Sequence, residues 1–202
     1  MKSFIKLLPT ALVAILISTV VLGCLYPLAI TAVGQFFFPY QANGSVVEVD
    51  GKEVGSELLA QWFSDDGHMW GRIMNVDTTS FTDDNGSAVL YATPSNLSTT
   101  SQEYSELIAA RVAQLRAADP DESDEAIPVD LVTCSGSGLD PDISPAAAEY
   151  QVSRISQATG ISEDKLRSII SDSTTGKFLG VFGEERVNIL EVNLKIDELL
   201  DQ

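Results

Sequence analysis

The sequence has 202 residues, of which 45% are hydrophobic, and its 12 basic and 29 acidic side chains give a formal net charge of −17. This length fits one ordinary domain with a short appendage, and the apolar content excludes an intrinsically disordered chain because it suffices for a core. The acidity excludes nucleic-acid binding, since phosphate recognition requires clustered Lys and Arg. Two cysteines exclude a disulfide-rich scaffold and a cysteine-cluster metal site.

The charged side chains are distributed unevenly along the chain. Lys2 and Lys6 come first, and the next charged residue is Glu48, after which all 29 acidic side chains and 10 basic ones follow, a balance of −19. Residues 7–30 are apolar with only Thr and Ser as polar interruptions, and crossing a bilayer takes about 20 such residues. The segment 7–33 is therefore predicted to be a transmembrane helix with its outer flank.

The same asymmetry predicts the orientation of the span. Basic residues favour the cytoplasmic side, so residues 1–6 are expected in the cytoplasm and residues 34–202 are expected to form an extracytoplasmic domain. The aromatic cluster at 36–40 suits the outer membrane interface. Pro27 is expected to bend or end the helix locally, because it removes a backbone hydrogen bond.

Cys24 provides an alternative to a retained span. Val21-Leu22-Gly23-Cys24 resembles the site at which bacterial lipoproteins are cut and lipidated, which would make the chain a lipid-anchored extracytoplasmic binding protein. The apolar run continues past Cys24 to Val33, whereas a lipoprotein normally continues with a polar tether. This continuation favours the span and leaves the lipid anchor as the alternative.

Beyond the span, the pattern predicts an α+β fold: one N-terminal transmembrane helix followed by a small mixed α/β extracytoplasmic domain. The predicted strand elements are a hairpin over 46–54, turning at Asp50-Gly51, and a buried strand over 127–133. The predicted helices cover 56–63 with Ser56 as cap, 103–118, a stretch from Ser144 to near Gly160, and a stretch that Ser162 caps. The remaining segments are long loops over 64–100, an acidic surface linker over 119–125, and a tail from Val187 for which a helix beginning at Asn188 is favoured over a strand.

Few residues are candidates for chemistry of their own. Gly176-Lys177 lacks the flanking residues of a phosphate-binding loop. His68 with Asp65 and Asp66 could hold a metal ion, although a solvated loop is the favoured interpretation. Cys134 has no partner in the exterior domain and needs none as a small buried residue. Since no nucleophile and base are predicted to converge, an independent hydrolase is disfavoured and neither a catalytic nor a metal site is predicted.

The loop 135–144 is the most informative segment, because a predicted strand leads into it and a helix begins where it ends. Its backbone amides could hold an anion. Asp140, Asp142 and Ser144 alternate as in a calcium loop, but no distal Glu follows at the required spacing. A tight glycine-containing turn that caps the helix is favoured, with partner contact, anion binding and cation binding left open.

Several segments occur in an order that identifies a family. The strongest is VDLVTCSGSGLDPDISPAA at 129–147, which Gln151 and Arg154 continue. GSELLAQWF at 55–63 and GEERVNILEVNL at 183–194 accompany it. Together these motifs resemble the KdpC family, an accessory subunit of bacterial potassium-transporting ATPase complexes.

The resemblance implies a non-catalytic accessory subunit of a high-affinity, ATP-driven potassium uptake complex in a bacterial cell membrane. The implied partners are a channel-like potassium-translocating subunit, a P-type ATPase subunit and membrane lipid. The resemblance further implies stabilisation of assembly and a catalytic-chaperone role that raises the ATP affinity of the pump subunit.

For the chaperone role, the resemblance implies Gln151 as the nucleotide-binding residue, with ATP bound only in complex with the pump subunit and no firmly held cofactor. A domain outside the membrane meets no cytosolic ATP, so the charge asymmetry argues against that contact. The residues that the resemblance assigns to partner contact are Tyr26, Pro27, Thr31, Asn43, Gly44, Gln61, Arg72, Ser135, Gly136, Ser137, Gly138, Asp140, Arg154, Asn188 and Asn193.

Overall fold

The computed structural model of the chain describes residues 2–120 and 125–201, with residues 2–5 described by their backbone only. It divides into two compact units, Met1–Val46 and Val47–Gln202. The first, the N-terminal unit, contains the apolar segment, and the second, the C-terminal unit, contains every acidic residue.

The N-terminal unit is helical. It consists of α1 (Lys2–Val20), a π-helical turn (Val21–Leu25), α2 (Tyr26–Phe37) and the short α3 (Pro39–Ala42). Within it, the 32 residues Lys6–Phe37 are long and apolar enough to cross a membrane, and their large apolar side chains are exposed. One N-terminal candidate membrane helix is therefore present, as the sequence predicts.

The π-helical turn explains how the helix passes Pro27. Proline has no N–H, and in an α-helix its ring presses against the carbonyl group four residues earlier. Here that carbonyl belongs to Gly23, which lies inside the wider π-helical turn, and the Tyr26 N–H donates to the carbonyl of Val21. The helix continues beyond Pro27, so the proline changes the winding of the helix without ending it.

From Val46 onward, the described chain forms short strands and helices. The strands are β1 (Val46–Val49), β2 (Lys52–Ser56), β3 (Val76–Asp77), β4 (Tyr91–Ala92), β5 (Asp142–Ile143), β6 (Thr174–Thr175) and β7 (Arg186–Asn188). The helices are α4 (Gln102–Ala118), α5 (Pro145–Glu149), α6 (Val152–Thr159), α7 (Glu163–Asp172) and α8 (Ile189–Leu200), with a 3-10 turn at Val129–Leu131. The strands pair as β1–β2, as β3–β4 and as a three-stranded sheet in the order β5-β7-β6.

The helices pack around one hydrophobic core, to which α7 contributes Leu166, Ile169 and Ile170 as its pattern predicts. The central strand β7 adds Val187, which pairs with both neighbouring strands and is fully buried. The other buried members of the core are Met69, Trp70, Leu115, Leu131, Val132, Ile143, Ala147, Ala148, Val152, Ile155, Ile189, Val192 and Ile196.

The helix starts follow their capping residues. The predicted caps Ser144, Ser162 and Asn188 each accept the backbone N–H of the residue three positions later, at 3.1, 3.4 and 3.1 Å. Gly160 ends α6 in the left-handed conformation, with φ of 76°. The hairpin over 46–54 is also confirmed as β1 and β2, and the tail is helical as favoured, although β7 precedes α8.

The predicted helix over 56–63 is wrong, because the chain there forms only a turn. The Ser56 hydroxyl accepts the Leu58 N–H at 3.1 Å, which closes one turn. The Ala60 N–H then donates to the carbonyl of Leu139 at 3.0 Å, away from any intrahelical acceptor. Because the large apolar side chains of this segment are mostly exposed, a helix here would have no face to bury.

The predicted strand over 127–133 is also wrong, because its centre forms the 3-10 turn. The Leu131 N–H donates to the carbonyl of Pro128 at 3.1 Å, and Leu131 is buried while Val129 is exposed. The Asp130 carboxylate accepts the Ser144 N–H at 2.7 Å, which anchors the turn beside the start of α5. The apolar run therefore reflects two adjacent buried positions, Leu131 and Val132, and no paired strand.

The helix predicted to run from Ser144 to Gly160 is interrupted between α5 and α6. At Gln151 the side-chain Nε2 donates to the carbonyl of Ala147 at 3.1 Å, which is the acceptor that the Gln151 N–H would use in an α-helix. The Gln151 N–H bonds to the carbonyl of Ala148 instead, also at 3.1 Å. The side chain thus replaces the backbone at this point and separates the two helices.

Gly138 joins three loops at one place. Its φ is 75°, and its carbonyl accepts the Asn75 N–H at 3.1 Å. A Cβ atom at this position would lie 2.9 Å from the carbonyl oxygen of Asn75 and would collide with that of Thr93. Only glycine therefore allows this approach.

We expect Gly138→Ala to lower the free energy of unfolding by about 1–3 kcal/mol, because both the positive φ and the backbone contact oppose a Cβ. Gly136→Ala is the matched control, since no atom lies within 4 Å of a Cβ there. Urea unfolding of the detergent-solubilised chain measures the difference. Equal stability of the two variants would contradict this account of the loop.

Candidate functional site

Two side-chain amides bind the backbone of the segment 65–70, here called the clamp segment. Each accepts a backbone N–H and donates to a backbone carbonyl, as a neighbouring strand would. The Asn193 Oδ1 accepts the Met69 N–H at 2.7 Å and its Nδ2 donates to the Met69 carbonyl at 3.0 Å. The Gln151 Oε1 accepts the Trp70 N–H at 2.7 Å and its Nε2 donates to the Trp70 carbonyl at 3.0 Å. Both amides are buried, so they satisfy backbone groups that water does not reach.

Arg154 fastens the other end of the clamp segment. Its Nη1 donates to the carbonyl of Asp66 at 2.6 Å, and its Nη2 donates to the carbonyl of His68 at 2.9 Å. Its Nη2 also donates to Gln151 Oε1 at 2.8 Å, which links the guanidinium to the amide pair. The guanidinium carbon lies 4.4 Å from the centre of the Trp70 ring.

The electrostatics of Arg154 follow from its burial. Desolvation lowers the pKa of Arg154 to about 10, against the opposing effect of neighbouring carboxylates that include Asp66 and Asp119. Asp119 was predicted to lie in an acidic surface linker and is buried, which corrects that prediction at its first residue. Residues 121–124 of the linker lie outside the described residues. Asp119 therefore acts as a buried counter-charge to the arginine.

His68 ties the clamp segment to α8. Its Nδ1 lies 2.7 Å from Asp65 Oδ1 and its Nε2 lies 2.8 Å from Asp197 Oδ1. Partial burial opposes the charged ring, but the hydrogen bonds to Asp197 and Asp65 raise the pKa of His68 above its ordinary value. The two carboxylates lie on opposite ring nitrogens, and Asp66 uses its carbonyl for Arg154, so the predicted trio does not converge on one point.

Among residues 2–120 and 125–201, no three His, Cys, Asp or Glu side chains are grouped so as to hold a metal ion.

Two further arginines border a groove of about 220 Å³ beside the clamp segment, which Gln61 also lines. Arg111 donates to the carbonyl of Gly71 at 2.8 Å, and its guanidinium carbon lies 5.4 Å from the centre of the Trp70 ring. Arg72 donates to Asp140 at 3.3 Å. Burial lowers the pKa of Arg111. Arg111 therefore donates to the backbone of its own domain, whereas the buried Nε of Arg72 has no hydrogen-bond partner among the described residues.

The serine–glycine loop is a tight turn, as the sequence favours. The Ser135 hydroxyl accepts the Gly138 N–H at 2.9 Å, and the Ser137 hydroxyl accepts the Leu139 N–H at 3.1 Å. Asp140 accepts a further backbone N–H, from Asp142, at 3.1 Å. The loop's own side chains thus bind the amides that an anion would otherwise use.

The residues assigned to partner contact divide by exposure, and their contact role stays a prediction. The buried ones are Ser135, Gly138, Arg154 and Asn193. The partly buried ones are Gln61, Arg72, Asp140 and Asn188. The exposed ones are Tyr26, Pro27, Thr31, Asn43, Gly44, Gly136 and Ser137.

Sequence reasoning missed Trp70, Asp197 and Arg111 as members of the site. The indole Nε1 of Trp70 donates to the carbonyl of Asp65 at 2.7 Å, and two guanidinium groups lie 5.4 and 4.4 Å from the centre of its ring. No local pattern announces these roles, because the three residues come from three distant segments. The sequence does place Trp70 two residues from His68, and tryptophan and histidine are rare in this chain, which is the signal that could have indicated the site.

We expect Gln151→Ala to lower the free energy of unfolding by about 2–4 kcal/mol, because it leaves both backbone groups of Trp70 unpaired in the core. Gln157→Ala, which removes an exposed amide from the same helix α6, should cost less than about 0.5 kcal/mol. Urea unfolding followed by tryptophan fluorescence checks both values. A Gln151 variant as stable as the Gln157 control would refute the structural role.

The raised pKa of His68 predicts a pH dependence of stability. Its contribution is fully present below the ordinary pKa of about 6.5 and is lost as the pH rises through the higher folded-state pKa. We therefore expect the unfolding free energy of the wild type to fall, relative to that of His68→Asn, as the pH rises from about 6 towards 8. Chemical unfolding at a series of pH values measures this, and parallel profiles would contradict it.

Comparison with known proteins gives the family. A family model described as "KdpC: K+-transporting ATPase, c chain" matches residues 8–198. A protein of Clostridium botulinum (strain Eklund 17B / Type B) named "Potassium-transporting ATPase KdpC subunit" is 52% identical over 200 residues, which covers 99% of this chain and 100% of that protein. Proteins of the same name from Clostridium perfringens and Sorangium cellulosum are 49% and 48% identical, covering 96% and 93% of this chain and 98% and 95% of theirs.

The model and the relatives match nearly the whole length, including the segments 55–63, 129–147 and 183–194 on which the resemblance was recognised. The chain therefore belongs to the KdpC family of potassium-transporting ATPase subunits.

Proposed function

We propose that this chain is a non-catalytic accessory subunit that stabilises the assembly of an ATP-driven potassium uptake complex. Family membership gives it an accessory place in such a complex. The observation that carries the rest is a combination of two features. One apolar helix, Lys6–Phe37, is exposed, and the central polar side chains of the C-terminal unit, Gln151 and Arg154, form hydrogen bonds within that unit. Such a chain is built to be held in a membrane and to present a fixed surface to its partners.

The helix is the proposed anchor, and its charge pattern supports an orientation. Lys2 and Lys6 precede it, and all 29 acidic residues follow it. On the positive-inside rule, residues 1–6 face the cytoplasm and the C-terminal unit lies outside the cell membrane. Small residues in α2, among them Ala29, Thr31 and Gly34, permit close lateral contact with helices of the channel-like subunit and the P-type ATPase subunit.

We further propose that the C-terminal unit covers the outer mouth of the potassium pathway. Its balance of −19 attracts cations and raises their local concentration near the surface. The clamp segment supports this function because it makes the unit rigid: Gln151, Asn193 and Arg154 fix it from two helices. A rigid acidic cover and a membrane anchor together account for an assembly role without chemistry of its own.

A nucleotide contact by Gln151, with a rise in the pump's ATP affinity, stays a prediction of the resemblance. Gln151 is 1% exposed, and both donors and both acceptors of its amide are used. A direct contact with ATP requires the clamp segment to open first. We therefore propose that Gln151 acts by positioning the clamp segment, and that any effect on ATP passes through the assembled subunits.

The lipid-anchor alternative is less well supported by the helix. Cys24 lies within the π-helical turn, and the helix continues for the 12 residues of α2 beyond it. A lipidated cysteine would be the first residue of the mature chain, which would remove α1 altogether. The continuous helix favours the span.

We expect deletion of residues 2–33 to abolish co-purification of the chain with the channel-like and P-type ATPase subunits, because it removes the proposed docking helix. Cys24→Ser is the control, since it keeps the span and should leave both membrane retention and assembly unchanged. Affinity purification in mild detergent, with the subunits quantified, measures both. Normal assembly of the deleted form would refute docking by the span, and loss of retention in Cys24→Ser would favour the lipid anchor.

A further inference from the structure

The loop between β6 and β7 ends in an exposed apolar tip, here defined as residues 178–182. The exposed fractions of Phe178, Leu179, Val181 and Phe182 are 71%, 76%, 74% and 63%. Four large exposed apolar side chains within five residues, interrupted only by Gly180, form a patch that a soluble surface rarely leaves uncovered. The tip belongs to the C-terminal unit and lies far from the clamp segment in sequence.

The tip is a defined hairpin. The N–H of Phe178 donates to the carbonyl of Phe182 at 2.8 Å, and the reverse bond is 2.9 Å long. Residues 176–177 face the three residues 183–185 between this pair and the Thr175–Arg186 pair, so the hairpin contains a bulge. A bulge bends a hairpin and redirects its end. The apolar side chains are therefore presented in a fixed arrangement.

The backbone of Leu179 is strained, in addition to the exposure of its side chain. Its φ is 54° and that of Gly180 is 73°, so both central turn positions are left-handed. Asn and Gly suit this turn, whereas a leucine at positive φ is strained. Leu179 is 76% exposed, so its contacts with the described residues offset little of this strain. A residue that weakens the turn and exposes apolar surface is explained by a contact made outside the chain.

We propose that the apolar tip inserts into an apolar pocket, rimmed by basic side chains, on another protein subunit of the potassium-transporting ATPase. The inference rests on the proposed function and adds the contact surface. Charge selects this occupant, because the base of the tip carries Glu184 and Glu185 and both neighbouring cations are already paired. Lys177 lies 2.8 Å from Glu184, and Arg186 lies 2.9 Å from Asp142. The surrounding unit has a balance of −19, so its docking surface is complementary to a basic rim.

The same charges disfavour the other occupants. An anionic bilayer surface repels an acidic unit, and interfacial loops that enter lipid normally present unpaired Lys and Arg, whereas Lys177 and Arg186 are paired with carboxylates. A second copy of this chain would bring the same −17 charge to the contact. A pocket on a different protein subunit avoids both penalties.

Leu179→Asn tests the proposal, because asparagine fits the left-handed turn while removing the apolar contact. We expect the full-length variant to unfold at a urea concentration equal to or above that of the wild type, yet to bind the other subunits at least about tenfold more weakly. Val181→Ser, which changes a tip residue outside the two left-handed positions, should weaken assembly in the same way. Co-purification of co-expressed subunits, with detergent-exchange dissociation, gives the affinities.

Val129→Asn is the matched control, since Val129 is 69% exposed but lies on the 3-10 turn outside the tip, and its assembly should be unchanged. Wild-type affinity of both tip variants would overturn the tip proposal and leave the proposed function standing. Failure of the wild-type chain to assemble would remove both. A photo-crosslinking residue at position 179 identifies the occupant: cross-linking to another subunit supports the proposal, and cross-linking to lipid or to a second copy overturns it.

Discussion

The arrangement of the C-terminal unit depends on two buried amides that bind backbone. The clamp segment enters the core at Met69 and Trp70 without a strand to pair with. The N–H and carbonyl groups of these two residues would each cost about 1–3 kcal/mol if they were buried without a partner. Asn193 and Gln151 remove that cost with the same donor and acceptor spacing that a peptide unit offers. This arrangement interrupts the helix between α5 and α6, because the Gln151 side chain donates to the Ala147 carbonyl, which would otherwise accept the backbone bond that continues the helix.

Charge is organised around the same segment. Arg154 stacks on Trp70 from one direction and Arg111 approaches the same ring, so two guanidinium groups share one aromatic surface. Asp119 supplies a buried negative charge that favours the charged form of Arg154. His68 then links the outer part of the segment to α8 through Asp197, while Asp65 of the segment itself bonds to the other ring nitrogen. The sequence favours a solvated loop for His68 and its two neighbouring aspartates, whereas the structure gives His68 and Asp65 bonds within the unit.

Elements with local causes were predictable from the sequence. The hairpin follows from Asp50-Gly51, and the starts of α5, α7 and α8 follow from Ser144, Ser162 and Asn188. The two wrong predictions, over 56–63 and 127–133, share a cause: distant acceptors and donors override local propensity. Ala60 bonds to Leu139, and Asp130 bonds to Ser144. For the site, the family motifs pointed to Gln151, Arg154 and Asn193, but only the fold brings Trp70 and Asp197 to them.

The π-helical turn in the candidate membrane helix has a geometric effect on the two halves of that helix. One residue inserted into an α-helical repeat rotates everything that follows by about 100° about the axis. Side chains of α1 and α2 that a uniform helix would align in one stripe therefore point in different directions around the cylinder. Ala29 and Gly34 of α2 therefore do not continue a face that α1 begins, and the two halves of the helix present separate faces.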